Sequence, residues 1–348
     1  MKNAMNKPRA LSEGCKIAIV SPSWGGPSTF PHKYEAGLSQ LKKAFAVEIV
    51  EMPHTKKPAE WLHLNPKARA DDLMQAFEDT SIDGIIASIG GDDAIRLLPF
   101  MNLDVIAANP KVFIGYSDTT TLHFACLKAG LTSFYGPSIM AGFGESGGLL
   151  PYMEDAVRKT IFTPQQTLEI GVATEWTSAH MDWSDPENQK RKRPLQKASG
   201  PILLQGEGIH QGRLIGGCID VFPMIIGTAL WPKAEDFNKA ILFLETSEEA
   251  PSPDDVKRIL RNLGVQGILE NLTGIIIGRP GGNVQKLDQY DVAIQSTLSE
   301  EFGLTNLPVL AQMDFGHTDP MCVLPYGISG QIDCTTKRLT LLEPACII

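Results

Sequence analysis

An α/β fold, a parallel-sheet unit followed by a second α/β unit, is what this 348-residue chain predicts. Short β-branched runs alternate with longer stretches of helical period, and turn signals sit where the runs end. After an irregular middle segment the alternation resumes, so a length that allows two domains is read as two.

Taken in order, Lys16–Val20, Gly84–Ile89 and Val112–Ile114 read as strands buried on both faces. Between them Tyr34–Phe45, Pro66–Asp79, Asp92–Phe100 and Thr119–Lys128 carry apolar residues at helical spacing, the pattern of βαβ units. The strand ends are marked by Ser21-Pro22-Ser23-Trp24-Gly25-Gly26, Gly90-Gly91-Asp92 and Gly115-Tyr116-Ser117-Asp118. Ligands of open α/β sheets gather at the carboxyl ends of strands, so a site is expected at these turns. From about Thr163 to Gly200 the periodicity fails, and the segment holds Trp176, Trp183 and the run Lys190-Arg191-Lys192-Arg193, read as a solvated loop. Beyond it Arg213–Ile215 is strand-like, Ile219–Ile226 helical, and Ala240–Leu244 a very apolar strand ending at Glu245. Ser252–Leu263 opens with a capping Ser, Pro at the first helical position and two acids. Thr273–Ile277, Asp288–Phe302 and Val309–Met313 continue the alternation, and Gly327–Leu342 reads as a β-hairpin. The expected division is residues 1–165, a connecting loop at 166–200 that is a candidate substrate lid, and residues 201–348.

Composition narrows the function. Apolar residues make up 43% and charged residues 20%, which excludes a disordered chain. Lys and Arg total 31 against 40 Asp and Glu, a net charge of −9. Such a surface is a poor polyanion binder, so neither a nucleic acid polymer nor an anionic membrane is the expected partner. The six cysteines form no C-x-x-C pair and have no His at ligand spacing. No disulfide framework, metal or cofactor is therefore expected. The start, Met1 to Ala10, lacks the apolar core of a secretory signal, and no apolar run approaches the ~20 residues of a membrane span. A cytoplasmic protein is expected.

The sharpest motif runs strand, tight turn, helix through Val112 to Thr120. A Ser at such a turn exposes its hydroxyl above the sheet, and the helix start supplies N–H groups for an oxyanion. Ser117 therefore reads as a nucleophile, although Ser117 or Asp118 serving only as a helix cap is the alternative reading. A nucleophilic Ser needs a base and an orienting acid. Of seven histidines, His317 lies in a polar turn after a strand, whereas His123 falls inside a helix. Glu245 ends a strand so apolar that its carboxylate requires a partner, while Glu248 and Glu249 read as solvated loop acids. Gly90 and Gly91 let a substrate carbonyl approach bare backbone. Cys218, after a second Gly-Gly pair, reads as a small buried residue.

These residues, with Asn109–Asp118, Phe134–Pro137, Gly212–Gly217, Leu242–Glu245 and Asp314–His317, resemble the LD-carboxypeptidase family of serine peptidases. The similarity is greater to its microcin C self-immunity branch than to its murein tetrapeptide carboxypeptidases. It implies a flavodoxin-like or class I glutamine amidotransferase-like N-terminal parallel sheet bearing the nucleophile, and a smaller C-terminal α/β domain. It also implies a Ser117–Glu245–His317 triad and an oxyanion hole from the backbone N–H groups of Gly91 and Asp118. A metal-free cytoplasmic homodimer follows from the same likeness. This chain departs from the self-immunity branch at Cys218, where those members often carry Asn.

The expected activity is hydrolysis of an amide through an acyl-enzyme. The substrate is a small peptidyl- or aminoacyl-nucleotide of the microcin C type, with Gly90 lining its path and Trp176 or Trp183 stacking on its base. Release of terminal D-alanine from a murein tetrapeptide, which needs a cation for the terminal carboxylate, is the second reading. A non-catalytic small-ligand binder on the same scaffold is the third.

Overall fold

The structure, a computed structural model, describes residues 5–282 and 286–348. Its strands are β1 (Lys16–Val20), β2 (Glu48–Glu51), β3 (Gly84–Ala87), β4 (Val112–Gly115), β5 (Phe134–Tyr135), β6 (Leu168–Glu169), β7 (Glu175–Trp176), β8 (Gln196–Lys197), β9 (Ile202–Gln205) and β10 (Ile209–Cys218). Then follow β11 (Ala240–Glu245), β12 (Leu272–Gly278), β13 (Val309–Met313), β14 (Leu324–Pro325), β15 (Ser329–Asp333) and β16 (Arg338–Leu341).

The first sheet has the order β14-β5-β4-β3-β1-β2, and β1 to β5 are parallel. The order 2-1-3-4-5 is the flavodoxin-like winding, whose direction reverses between β1 and β3 and leaves a crevice beyond their carboxyl ends. Alternation along β1 sends Ile17 and Ile19 into one core and Ala18 and Val20 into another, so helices cover both faces. The second sheet, β6-β16-β15-β10-β11-β12-β13-β9, is mixed, with β10 to β13 parallel. All six residues of β11 are buried, which is why so apolar a run stands at its centre. The chain is thus an α/β protein built on two large sheets, as its alternation predicts. β14 follows β13 in sequence yet pairs antiparallel with β5, closing the edge of the first sheet.

Several elements differ locally from the sequence pattern. The expected helix at 92–100 is a 3-10 helix over Ala94–Phe100, because Pro99 lies inside it and offers no N–H. Residues 219–226 form a 3-10 turn followed by a single α-helical turn. The helix Leu287–Ser296 widens into a π turn at Thr297–Glu301. The segment between Thr163 and Gly200 is not structureless: β6 joins the edge of the second sheet, and β7 pairs with β8. The helix Pro253–Val265 starts as its sequence predicts, with Ser252 and Asp255 exchanging hydrogen bonds in a capping box. Among the described residues no helix is long and apolar enough to cross a membrane.

Candidate active site

The carboxyl ends of β4, β11 and β13 converge on one cleft. Ser117 follows β4 and opens a 3-10 turn leading into the helix Thr120–Ala129. Its φ of 62° is left-handed, a conformation that costs a Ser roughly 1 kcal/mol or more and persists only where the surroundings impose it. Gly90 is part of that imposition. A Cβ there would lie 2.8 Å from Ser117 Cβ and 2.9 Å from its Oγ, so only glycine admits the serine. Ser117 N–H donates to the Tyr135 hydroxyl at 3.2 Å. Among the described residues the N–H groups of Gly91 and Asp118 have no hydrogen-bond partner. The buried Asp118 carboxylate accepts from Ser23 Oγ at 2.6 Å and Ala94 N–H at 2.7 Å. Burial pushes its carboxyl upward despite both bonds.

Glu245 is the last residue of β11 and is 1% exposed. Its Oε2 lies 2.7 Å from His317 Nδ1, and its Oε1 accepts from the Tyr135 hydroxyl. Burial disfavours the charge, but the imidazolium beside it and the bonds from His317, Tyr135 and Cys218 hold the carboxyl below its ordinary value. Burial equally disfavours the imidazolium, but Glu245, with Glu248 and Asp220 behind it, raises His317 from 6.5 to about 9. The Tyr116 ring packs on the imidazole with centroids 4.8 Å apart. Gly316 has φ 91°, and a Cβ there would meet Glu245 Oε2 at 2.6 Å, so the approach of the His loop to the carboxylate also requires glycine.

Ser117 and His317 both line the cleft, which encloses about 770 Å³. Their side chains are not hydrogen-bonded to each other. Ser117 Oγ has no partner among the described residues, and His317 Nε2 faces Glu248 Oε2 at 3.1 Å. Glu248, expected as a merely solvated acid, keeps a 73% exposed side chain but reaches the imidazole. Sequence reading had no signal for that contact.

Trp24, Phe30 and Trp183 form an aromatic wall of the cleft, with Phe30 edge-on to both tryptophans. Lys33 Nζ sits 5.1 Å from the centroid of Trp183 and donates to Ser146 Oγ; burial lowers it to about 8. Trp176 does not join this wall. It is 7% exposed and lies under the Arg279 guanidinium, which sits 5.0 Å from the ring centroid, so of the two tryptophans named as stacking candidates Trp183 is the one on the cleft. The basic run is corrected at one position. Lys190, Arg191 and Lys192 are exposed, but Arg193 turns inward and bridges Glu145 to Asp319, with 2.5 Å to Asp319 Oδ2. The two carboxylates, Glu145 buried and Asp319 half-buried, are what draw it in. Backbone hydrogen bonds between Thr177 and Asp319 tie the same loop to the turn that carries His317.

Cys218 is buried, as its sequence context suggests, but it is not remote from histidine in space. Its Sγ, a Glu245 oxygen and a His317 nitrogen lie within 4.8 Å of one another, a set that can ligate a metal. Both Glu245 oxygens are already hydrogen-bonded, and burial raises the Cys218 thiol well above its ordinary value, which keeps it protonated. The donor set therefore fits a hydrogen-bond relay better than a cation. His123 packs within its helix, with its ring nitrogens 2.8 Å from Ser133 Oγ and 2.9 Å from Gly115 O.

Comparison with known proteins follows the same two halves. Residues 17–136 match the LD-carboxypeptidase N-terminal domain and residues 211–332 the LD-carboxypeptidase C-terminal domain. The Microcin C7 self-immunity protein MccF of Escherichia coli is 29% identical over 340 residues, covering 96% of this chain and 94% of that one. The structure of an MccF-like protein from Streptococcus pneumoniae in complex with AMP superposes with a TM-score of 0.86 at 30% identity, over 94% of this chain and 98% of that one. MccF in complex with aspartyl sulfamoyl adenosine gives 0.86 at 28% identity, over 98% and 99% of the two chains. A Bacillus subtilis protein named "Probable murein peptide carboxypeptidase" is 24% identical over 336 residues, 97% of each chain. With both family halves present in order on the same fold, the chain belongs to the LD-carboxypeptidase family and is a serine-type carboxypeptidase or amidohydrolase.

Proposed function

We propose that this enzyme cleaves the amide-type bond joining an aminoacyl or peptidyl group to a nucleotide, with Ser117 as nucleophile, His317 as base and Glu245 as its orienting acid. Ser117 Oγ attacks the acyl carbon and passes its proton to His317 Nε2. The tetrahedral oxyanion is held by the N–H groups of Gly91 and Asp118, each such donor being worth about 3 kcal/mol. The C–N bond then breaks, His317 returns the proton to the leaving nitrogen, and water releases the acyl group by the same steps in reverse. Glu245 keeps the imidazole proton on Nδ1 and stabilises the imidazolium.

What supports the chemistry is the buried Glu245–His317 hydrogen bond of 2.7 Å in the same cleft as a serine at positive φ, beside two N–H groups without partners. What supports a nucleotide substrate is the aromatic wall of Trp24, Phe30 and Trp183, since base stacking is worth roughly 1–3 kcal/mol. Arg193 is engaged by Glu145 and Asp319, so the strongest cation of the cleft is not free for a peptide's terminal carboxylate. Six unpaired thiols suit work in a reducing cytoplasm.

The test is a direct competition. Purified enzyme is given aspartyl sulfamoyl adenosine and, separately, an L-Ala-D-Glu-containing murein tetrapeptide, with products followed by chromatography. Release of aspartate with at least tenfold higher kcat/KM than release of D-alanine is expected; the reverse ratio makes the protein a murein carboxypeptidase.

A further inference from the structure

The mechanism uses one face of His317 that is already occupied. Nε2, which must take the proton of Ser117, is 3.1 Å from Glu248 Oε2. Glu248 stands on the segment after β11, at the mouth of the cleft, and its only ionic partner among the described residues is His317. Any substrate that brings Ser117 into contact with Nε2 displaces this carboxylate. The displaced group stays in the cleft that Ser117 and His317 also line, next to the place the acyl carbon must take. An aminoacyl compound always carries one positive group at a fixed place there, the ammonium on the carbon next to the carbonyl.

We propose that Glu248 is the acceptor for the α-ammonium group of the substrate's acyl part, and that its transfer from His317 to that ammonium frees Nε2 for Ser117. This inference rests on the proposed amide hydrolysis and adds to it a selection: acyl groups with a free α-amine are preferred over N-acylated ones. The exchange balances. In the resting site Glu248 pairs with the imidazolium. When the ammonium takes over the carboxylate, the Nε2 proton leaves to solvent, and the neutral imidazole then accepts the proton from Ser117. The same carboxylate repels a free carboxylate on the leaving side, which is the chemistry of a terminal D-amino acid.

The groups that face His317 are Glu245 at Nδ1, Glu248 at Nε2, the ring of Tyr116, and Asp220 through its charge; Tyr135 and Cys218 act on it through Glu245. Of these only Glu248 is exposed, so it alone can be exchanged without opening a buried site.

The experiment compares aspartyl sulfamoyl adenosine with its N-acetyl derivative on wild type, Glu248→Gln and Glu249→Gln. Wild type and Glu249→Gln are expected to favour the free amine by about tenfold or more in kcat/KM, the scale of one charge-assisted hydrogen bond. Glu248→Gln is expected to lose that preference by slowing the free-amine substrate, and its acid pH limb moves to lower pH. Equal rates on both compounds in wild type, or an undiminished preference in Glu248→Gln, overturn the proposal and leave the hydrolytic reading standing. Hydrolysis of neither compound by wild type overturns both.

Discussion

Tyr135 donates its hydroxyl hydrogen to Glu245 and accepts the backbone N–H of Ser117, so one phenol joins residues from the two sheets. It is fully buried and has no other role in the packing of β5 that a phenylalanine could not fill. Tyr135→Phe leaves a Glu245 oxygen and the Ser117 N–H unpaired. A loss of about 1–2 kcal/mol in urea denaturation is expected, together with roughly tenfold lower kcat at unchanged KM.

Ser117 combines strain with the proposed nucleophile. Ser117→Ala is expected to lose about 10⁴-fold or more in kcat while melting near the wild-type temperature. Ser117→Gly is expected to be equally inactive but more stable by about 1 kcal/mol, since glycine carries no penalty at positive φ. Calorimetry on the two variants separates strain from chemistry.

The pH dependence follows from His317 at about 9. The proposed base must be neutral to act, so kcat/KM is expected to rise about tenfold per pH unit until it levels near pH 9. Stability runs the other way. A histidine raised from 6.5 to about 9 on folding stabilises fully below pH 6.5, and this contribution is lost as pH rises to 9. Urea melts at pH 6 and pH 9.5 are expected to differ more for wild type than for His317→Gln.

Arg193 holds two carboxylates, the buried Glu145 before the connecting loop and the half-buried Asp319 two residues past His317. Arg193→Met leaves both uncompensated and is expected to cost about 3–5 kcal/mol. Adding Glu145→Gln and Asp319→Asn is expected to restore most of that loss in thermal denaturation, because the unpaired charge and not the packing is the cause.

The alternating pattern made the sheets legible: an apolar run such as Ala240–Leu244 has no stable place except the middle of a sheet. Helix starts were legible where capping chemistry is local, as at Ser252. Over 92–100 helical spacing is present, but Pro99 alters the hydrogen bonding, which the spacing does not report. At the site, Ser117, Glu245 and His317 each stand at a strand end, a position visible in one dimension. Glu248 touching His317, Tyr135 joining Ser117 to Glu245, and Arg193 turning away from three exposed basic neighbours are contacts across long separations. Composition and period carry no trace of them. Trp176 and Trp183 are indistinguishable as letters; the fold places one of them under Arg279 and the other on the cleft.

The short pairing of β14 with β5 means that the last hydrogen-bonded edge of the first sheet is supplied from residues 324–325, long after β5 itself has been made. During synthesis the amino-terminal half therefore leaves the ribosome with an open strand, and its final closure waits for the carboxy-terminal half. Shuffling halves between relatives, or cutting the gene at the loop to make a split reporter, will expose that edge to self-association unless the complementary fragment is present at the same time.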